Sequence, residues 1–299
     1  MQQQPKAGVP ETVGPGVVRV LAPNPSPMTY HGTNTYLLGT QESLVVLDPG
    51  PDSPSHLEAL LSAIGARPVS HILVSHSHLD HSPLARRLSD AVAAPVLAYG
   101  SHAAGRRPIM QELAKTGQIG GGEGADTDFT PDRTLLDGEM LESPDGKIEV
   151  LHLPGHIANH LGFSWNGQLF VGDHVMGWAS SLVSPPDGDL TAFMASCARL
   201  LTRSETLYHC GHGDPITDGP ARVRWLIEHR NARTSQLRAA LQDGAGGLIS
   251  LTERVYTDID RHMLPAAARN LLAHLIALIE TGEVKAQPSL SADATFALV

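Results

Sequence analysis

Apolar and polar positions alternate along the first two thirds of the chain in short runs separated by turn residues. Val17-Val18-Arg19-Val20-Leu21, Thr35-Tyr36-Leu37-Leu38 and Leu44-Val45-Val46-Leu47 read as strands. The third stops at Asp48-Pro49-Gly50-Pro51, a strong turn signal. Ser53 can then cap a helix whose apolar stripe, Leu57, Leu60, Leu61 and Ile64, ends at Gly65. An apolar strand over Val69–Val74 runs into a run of histidines, followed by a short helix over Ser82–Val92 and a strand over Pro95–Tyr99. Strands resume at Ile148–Leu153, Leu161–Trp165 and Gln168–Val171, with Asn166-Gly167 between the last two as a hairpin turn. A helix over Leu190–Leu201 and a strand over Thr206–Tyr208 close this part.

Two stretches break the pattern. Gly105–Pro131, with Gly120-Gly121-Gly122-Glu123-Gly124 inside it, reads either as a flexible surface insertion or as a lid over a site. After Gly219-Pro220 the texture becomes helical: Ala221–Leu241, Leu251–Ile259 and Pro265–Ile279 form an all-helical tail compact enough for a small second domain. No internal repeat is visible.

Composition narrows the class. The 299 residues are 41% hydrophobic and 17% charged, enough for one large domain, or one of moderate size with an appendage. No apolar stretch reaches the roughly 18–20 uncharged residues that span a bilayer. The helix after Met263 is interrupted by Asn270 and His274 and reads as too short and too polar for that role. Met1-Gln2-Gln3-Gln4-Pro5-Lys6 has no apolar signal region, so a cytoplasmic location is the expectation. A net charge of -10 favours solubility and disfavours broad binding to nucleic acid. Cys197 and Cys210 cannot build a disulfide framework and read as small buried hydrophobes.

Candidate chemistry lies among the 16 histidines. Isolated ones such as His56, His102 and His262 read as solvated surface groups. His76-Ser77-His78-Leu79-Asp80-His81 is different. His76 and His78 share a face while the chain is extended and can reach one metal ion. Asp80 continues that parity, and with His81 it can serve a second ion. Four such groups in one cavity would desolvate one another without a cation to pair with. Further ligands are needed, and His156, Asp173 and His212 each follow a predicted strand. A His/carboxylate set suits zinc, with manganese or iron as other occupants.

These motifs resemble the metallo-β-lactamase superfamily. His76-Ser77-His78-Leu79-Asp80-His81 matches its HxHxDH signature, and Pro154-Gly155-His156, Gly172-Asp173-His174 and Gly211-His212-Gly213 follow in the family's order, within residues 15–218. The resemblance implies an α/β fold, an αββα sandwich with metals at one edge of two sheets. It implies that His76, His78 and His156 hold one metal, that Asp80, His81 and His212 hold a second, and that Asp173 bridges. Gly32-Thr33-Asn34-Thr35-Tyr36 and Leu47-Asp48-Pro49-Gly50 also look like family features, with Asn34 and Asp48 supporting the ligands and Asp48 orienting a ligand histidine. Residues 221–287 resemble the small C-terminal winged-helix domain of the lactamase-like, endoribonuclease- and thioesterase-like subgroup.

The expected activity is metal-dependent hydrolysis by an activated water, with Asp80 as the catalytic residue that orients it and moves its proton. No GxSxG elbow offers a nucleophilic serine. A small-molecule ester, thioester or lactone is favoured as substrate. Cleavage of single-stranded RNA is the alternative, since Arg222, Arg224, Arg230, Arg233 and Arg238 share one long helix. Against it, those arginines also read as a solvated face pairing within the helix, for example through Glu228, and aromatics are only 4%. Two readings of other classes are a mono-iron thiol or persulfide oxygenase and a non-catalytic binding protein. Oligomeric state is not legible in the sequence.

Overall fold

The computed structural model describes residues 4–39, 42–119, 124–143 and 145–299. The first sheet has seven strands in sequential order: β1 (Pro10–Gly14), β2 (Val17–Leu21), β3 (Asn34–Gly39), β4 (Leu44–Leu47), β5 (Val69–Leu73), β6 (Val96–Ala98) and β7 (Arg133–Thr134). The first four are antiparallel. From β4 onward pairing is parallel, because α1 (Pro54–Ile64) and α2 (Ala85–Val92) supply crossovers. Ser53 caps α1 by accepting from the His56 N–H, with Pro54 in the first turn, as its sequence predicts.

The second sheet has the order β12 (Leu207–Cys210), β11 (Gln168–Gly172), β10 (Leu161–Trp165), β9 (Gly146–His152) and β8 (Met140–Ser143). Asn166 and Gly167 both take positive φ, 49° and 73°, in the predicted two-residue hairpin. Only β11 and β12 run parallel, joined through α4 (Leu190–Leu200).

Period-two alternation sorts side chains between layers. Tyr36 and Leu38 of β3, Val45 and Leu47 of β4, Val150 of β9 and Phe163 of β10 fill the space between the sheets. Leu37, Leu44 and Val46 face α1 and α2 with Leu60 and Leu88. Leu151, Leu169 and Val171 face α4 with Phe193 and Cys197. The result is the expected αββα sandwich.

The C-terminal unit holds α5 (Gly219–Gln242), α6 (Leu248–Val255), α7 (Leu264–Glu280) and a three-stranded sheet of β13 (Gly246–Gly247), β14 (Val284–Gln287) and β15 (Thr295–Leu298). The tail is therefore not wholly helical. β13 is two glycines, and β14 and β15 are short and half exposed, too short for alternation to register. The N-terminal half of α5 belongs to the sandwich through Val223 and Leu226, and its C-terminal half to the second core through Leu237 and Leu241. With its preceding 3-10 turn, α7 spans 20 residues, Arg261–Glu280, long and apolar enough to cross a membrane by length and composition. That differs from its reading as too short and too polar. Leu271, Leu272, Leu275 and Ile276 are buried in the C-terminal core, so packing accounts for its apolarity.

The Gly105–Pro131 segment is also not a simple insertion. It carries α3 (Pro108–Thr116), whose Met110 and Leu113 join the C-terminal core with Ile119. Residues 120–123, on which its glycine-rich reading leans, and Met1–Gln3 of the N-terminus lie outside the described residues. α3 went unread because its core partners are distant in sequence, where local periodicity does not register them.

Candidate metal centre

Each candidate ligand leaves the end of a strand on the same edge of the sandwich. Beyond β5 the chain bends at Ser75, passes through His76 and His78 and then turns. The His78 carbonyl accepts from the His81 and Ser82 N–H groups. The end of the Gly105–Pro131 segment clamps this turn. Ser77 accepts from the Asp126 N–H, Leu79 donates to the Gly124 carbonyl, and Ser82 Oγ donates to Asp126 Oδ2 at 2.7 Å.

Close approach at the edge requires glycine. A Cβ at Gly155, where φ is 145°, would lie 2.3 Å from Phe193 Cα. One at Gly211 would lie 2.1 Å from Asp173 Oδ1.

The side chains converge in two groups. His76, His78 and His156 form one; Asp80, His81, Asp173 and His212 form the other, and within each the donor atoms lie within 4.8 Å of one another. In the first, His78 Nδ1 lies 3.0 Å from His76 Nε2 and 3.1 Å from His156 Nε2. In the second, His212 Nε2 lies 3.1 Å from Asp80 Oδ2 and 3.3 Å from Asp173 Oδ2. Asp173 also stands 3.5 Å from His81 Nε2 and 3.8 Å from His156 Nε2, so it sits between the groups.

The tautomers are set from behind. His156 Nδ1 donates to the Leu182 carbonyl at 2.7 Å, and His212 Nδ1 to the Gly32 carbonyl at 3.1 Å. His81 Nδ1 donates to Asp48 Oδ2 at 3.0 Å. Asp48 Oδ2 also accepts from Ser75 Oγ at 2.7 Å, leaving that oxygen to accept from His76 Nδ1 at 2.9 Å. Asp48 thus orients one histidine in each group. Each of these four rings turns its Nε2 toward the cavity, unprotonated in His76 and His156 and paired with Asp80 and Asp173 in His81 and His212. Asn34 Nδ2 donates to the carbonyls of Cys210 and Gly213, on either side of His212.

Electrostatics divides the groups. Burial, with His81 and His78 beside it, holds His76 well below the ordinary imidazole range. Burial and His156 push His78 down to about 3, and burial lowers His156. Burial opposes charge on His81 and His212 too, but Asp80 and Asp173 outweigh it. His81 is raised well above its usual range and His212 to about 9. Burial likewise opposes charge on Asp80 and Asp173, yet His81 and His212 hold both below the usual carboxylate range.

This donor set fits metal cations. In the first group the unprotonated Nε2 atoms of His76 and His156 both face His78 Nδ1 near 3 Å, and a single proton on that nitrogen could not fully serve both. The carboxylates of the second demand positive charge, and Asp173 Oδ1 is buried without a hydrogen-bond partner. Two divalent ions would satisfy every one of these atoms.

Sequence reasoning missed three supports. Ser75 relays Asp48 to His76. His160 Nε2 accepts from the Asp173 N–H at 3.2 Å, and its ring stacks on His76 with centroids 5.0 Å apart. The Leu182 carbonyl carries no sequence signal. His56 corrects a reading: it is 1% exposed, not a solvated surface group, and it meets Thr35 Oγ1 at 2.9 Å. The arginines of α5 also differ from expectation. Arg222 donates to the Met176 and Ala179 carbonyls, Arg230 to the Ser181 carbonyl, Arg233 to the Val255 carbonyl, and Arg238 pairs with Glu283 rather than within the helix.

Comparison with known proteins agrees with this geometry. The Metallo-beta-lactamase superfamily model matches residues 28–212, and the Beta-lactamase associated winged helix domain model matches residues 249–292. Lactamase-like protein aptB of Emericella nidulans is 29% identical over 92% of this chain and 85% of its own. A protein of Claviceps purpurea named Atrochrysone carboxyl ACP thioesterase is 28% identical over 77% of this chain and 67% of its own. A solved beta-lactamase domain protein from Burkholderia ambifaria has the same fold, with a TM-score of 0.81, 22% identity, and coverage of 100% of this chain and 96% of its own. With four ligand motifs gathered at one sandwich edge and a winged-helix unit behind them, the chain belongs to the metallo-beta-lactamase superfamily of hydrolases.

Proposed function

We propose that this protein hydrolyses a carboxylic thioester at a site that holds two divalent ions, zinc being the occupant its His/carboxylate donors suit. The observation that carries the reading is the pairing of two donor groups across Asp173. When bound, such ions supply an activated water and neutralise charge developing on the substrate oxygen. The protein's own part is positional. Asp48, Leu182 and Gly32 hold ring orientations, and Asp80, 26% exposed where Asp173 is 9%, is the carboxylate open to substrate and placed to orient a water. The name of the Claviceps purpurea relative favours a thioester among ester-like bonds. Four of the five α5 arginines, Arg222, Arg230, Arg233 and Arg238, are engaged within the fold, which speaks against a phosphodiester, because an RNA strand needs several cations free to meet its backbone.

The test is a hydrolysis panel on protein reconstituted with zinc, manganese or iron, using N-acetylcysteamine thioesters, lactones, β-lactams and short single-stranded RNA, with metal content measured in parallel. Two ions per chain and thioester cleavage are expected. Cleavage of RNA alone would overturn the reading, as would one iron per chain with oxygen consumption.

A further inference from the structure

A cavity of about 240 Å³ lies where the winged-helix unit meets the sandwich. Met28, Trp178 and Leu182 line one side, and Tyr256, Met263 and Ala266 the other. Among the described residues no charged side chain lines it; Ser180, Asn270 and the Tyr256 hydroxyl are its polar groups. The nearby cations are turned away, with Arg222 tied to the Met176 and Ala179 carbonyls and Arg233 behind the Tyr256 ring.

Two of the cavity's lining residues, Leu182 and Trp178, adjoin the metal centre, one beside each donor group. Leu182 lines it and also the small cleft over His78 and His156. Trp178 packs on Gly213, where an added Cβ would meet its Cδ1 at 2.9 Å, one residue from His212. Tyr30 stacks on Trp178 with centroids 4.8 Å apart and 13° between the planes. Met28, Tyr30 and Trp178 are 49%, 42% and 36% exposed, so large apolar side chains stand open to solvent at its mouth. Such groups gathered beside a reactive centre mark a binding surface rather than a core.

We infer that this groove receives the apolar acyl portion of the substrate and lays its carbonyl carbon beside the two donor groups. The volume is below the roughly 300–1,000 Å³ of a site for a whole drug-sized ligand, so it suits one arm of a larger molecule. The absence of lining charge selects an uncharged chain or ring, since a charged group there would lose its hydration without a partner. Naming that arm an acyl group rests on the thioester reading above; the binding of an apolar chain does not.

The test has two arms. In the first, methionine methyls are labelled with carbon-13 and the protein is titrated with N-(2-hydroxyethyl)octanamide, an amide that replaces the thioester. The methyls of Met28, Met176 and Met263, which line the groove, are expected to shift, while those of Met140 and Met194 stay in place. In the second, kcat/KM is measured for acetyl through octanoyl N-acetylcysteamine thioesters. It is expected to rise about tenfold along the series, and Ala266→Trp to collapse the octanoyl-to-acetyl ratio toward one. Methyl shifts without thioester cleavage would uphold the groove and sink the thioester reading. Thioester cleavage with a flat chain-length profile and unmoved groove methyls would overturn the groove and leave that reading standing.

Discussion

The carbonyl oxygen of Leu182 accepts a hydrogen bond from His156 Nδ1 at 2.7 Å, and both neighbours of Leu182 are held by the winged-helix side of the molecule. Arg230 of α5, buried and partly stacked on Phe193, donates to the Ser181 carbonyl. Asn270 Oδ1 of α7 accepts from the Val183 N–H at 3.0 Å and from Arg230 Nη1 at 3.1 Å. The C-terminal unit therefore positions a candidate metal ligand it does not itself carry.

This makes Asn270→Ala informative. It leaves the buried Arg230 guanidinium and the Val183 N–H short of an acceptor, a loss of about 1–3 kcal/mol. Freed from its backing, His156 should bind metal more weakly, by about tenfold. Competition with a chelator reads the affinity; an unchanged affinity with lowered stability would confine Asn270 to a structural role.

Asp48 is expected to matter more. Asp48→Asn replaces an acceptor of three hydrogen bonds, from the Ser75 N–H, Ser75 Oγ and His81 Nδ1, with a group that must present a donor. Orientation of both His76 and His81 suffers. Metal affinity should fall about 10–100-fold while the circular dichroism spectrum is kept. Stoichiometric metal retained at the wild-type affinity would contradict this.

Asp80→Ala should fold and lose turnover by about 10²–10⁴-fold in metal-replete protein. Its side chain is partly exposed, and its ionic contacts are to the side chains of His81 and His212. Wild-type-like kcat at full metal loading would remove Asp80 from the catalytic role.

Stability should decline in mild acid for a reason separate from the metal centre. Burial lowers His56 and His209 to about 4, and His274 to about 3. In the unfolded chain each returns to about 6.5. Between those values the unfolded chain takes up protons that the folded chain refuses, so stability is full above about pH 7 and falls as pH drops from about 6.5 toward 4. Urea unfolding of chelator-treated protein at several pH values measures the slope. His274→Gln should have a shallower slope than the wild type, and equal slopes would show that His274 does not contribute.

Much of the catalytic layer was legible along the chain. β2, β4 and β10 have the bounds their apolar runs predict, because each pairs with neighbours close in sequence and shows a clean edge of turn residues. β1 went unread: Pro10-Glu11-Thr12-Val13-Gly14 is an exposed edge strand that buries little, so it carries no hydrophobic signature. The His56 reading failed because an imidazole in the first turn of a helix looks solvated until β3 and the Asp48 turn close over it. α3 went unread because Met110 and Leu113 pack against a core more than a hundred residues away.

From the residues alone came the chemistry: seven imidazoles and carboxylates at strand ends, in spacings that suit a metal cation. That much is local, since strand parity and turn residues dictate where a side chain points. Tertiary structure decided how those groups are held and what can approach them. The pairing of Asp48 with His81 and, through Ser75, with His76, the backing of His156 by Leu182, and the apolar groove beside Trp178 join segments from 26 to more than two hundred residues apart. Such contacts depend on how layers stack and not on any local pattern, so they become visible only once the chain is folded.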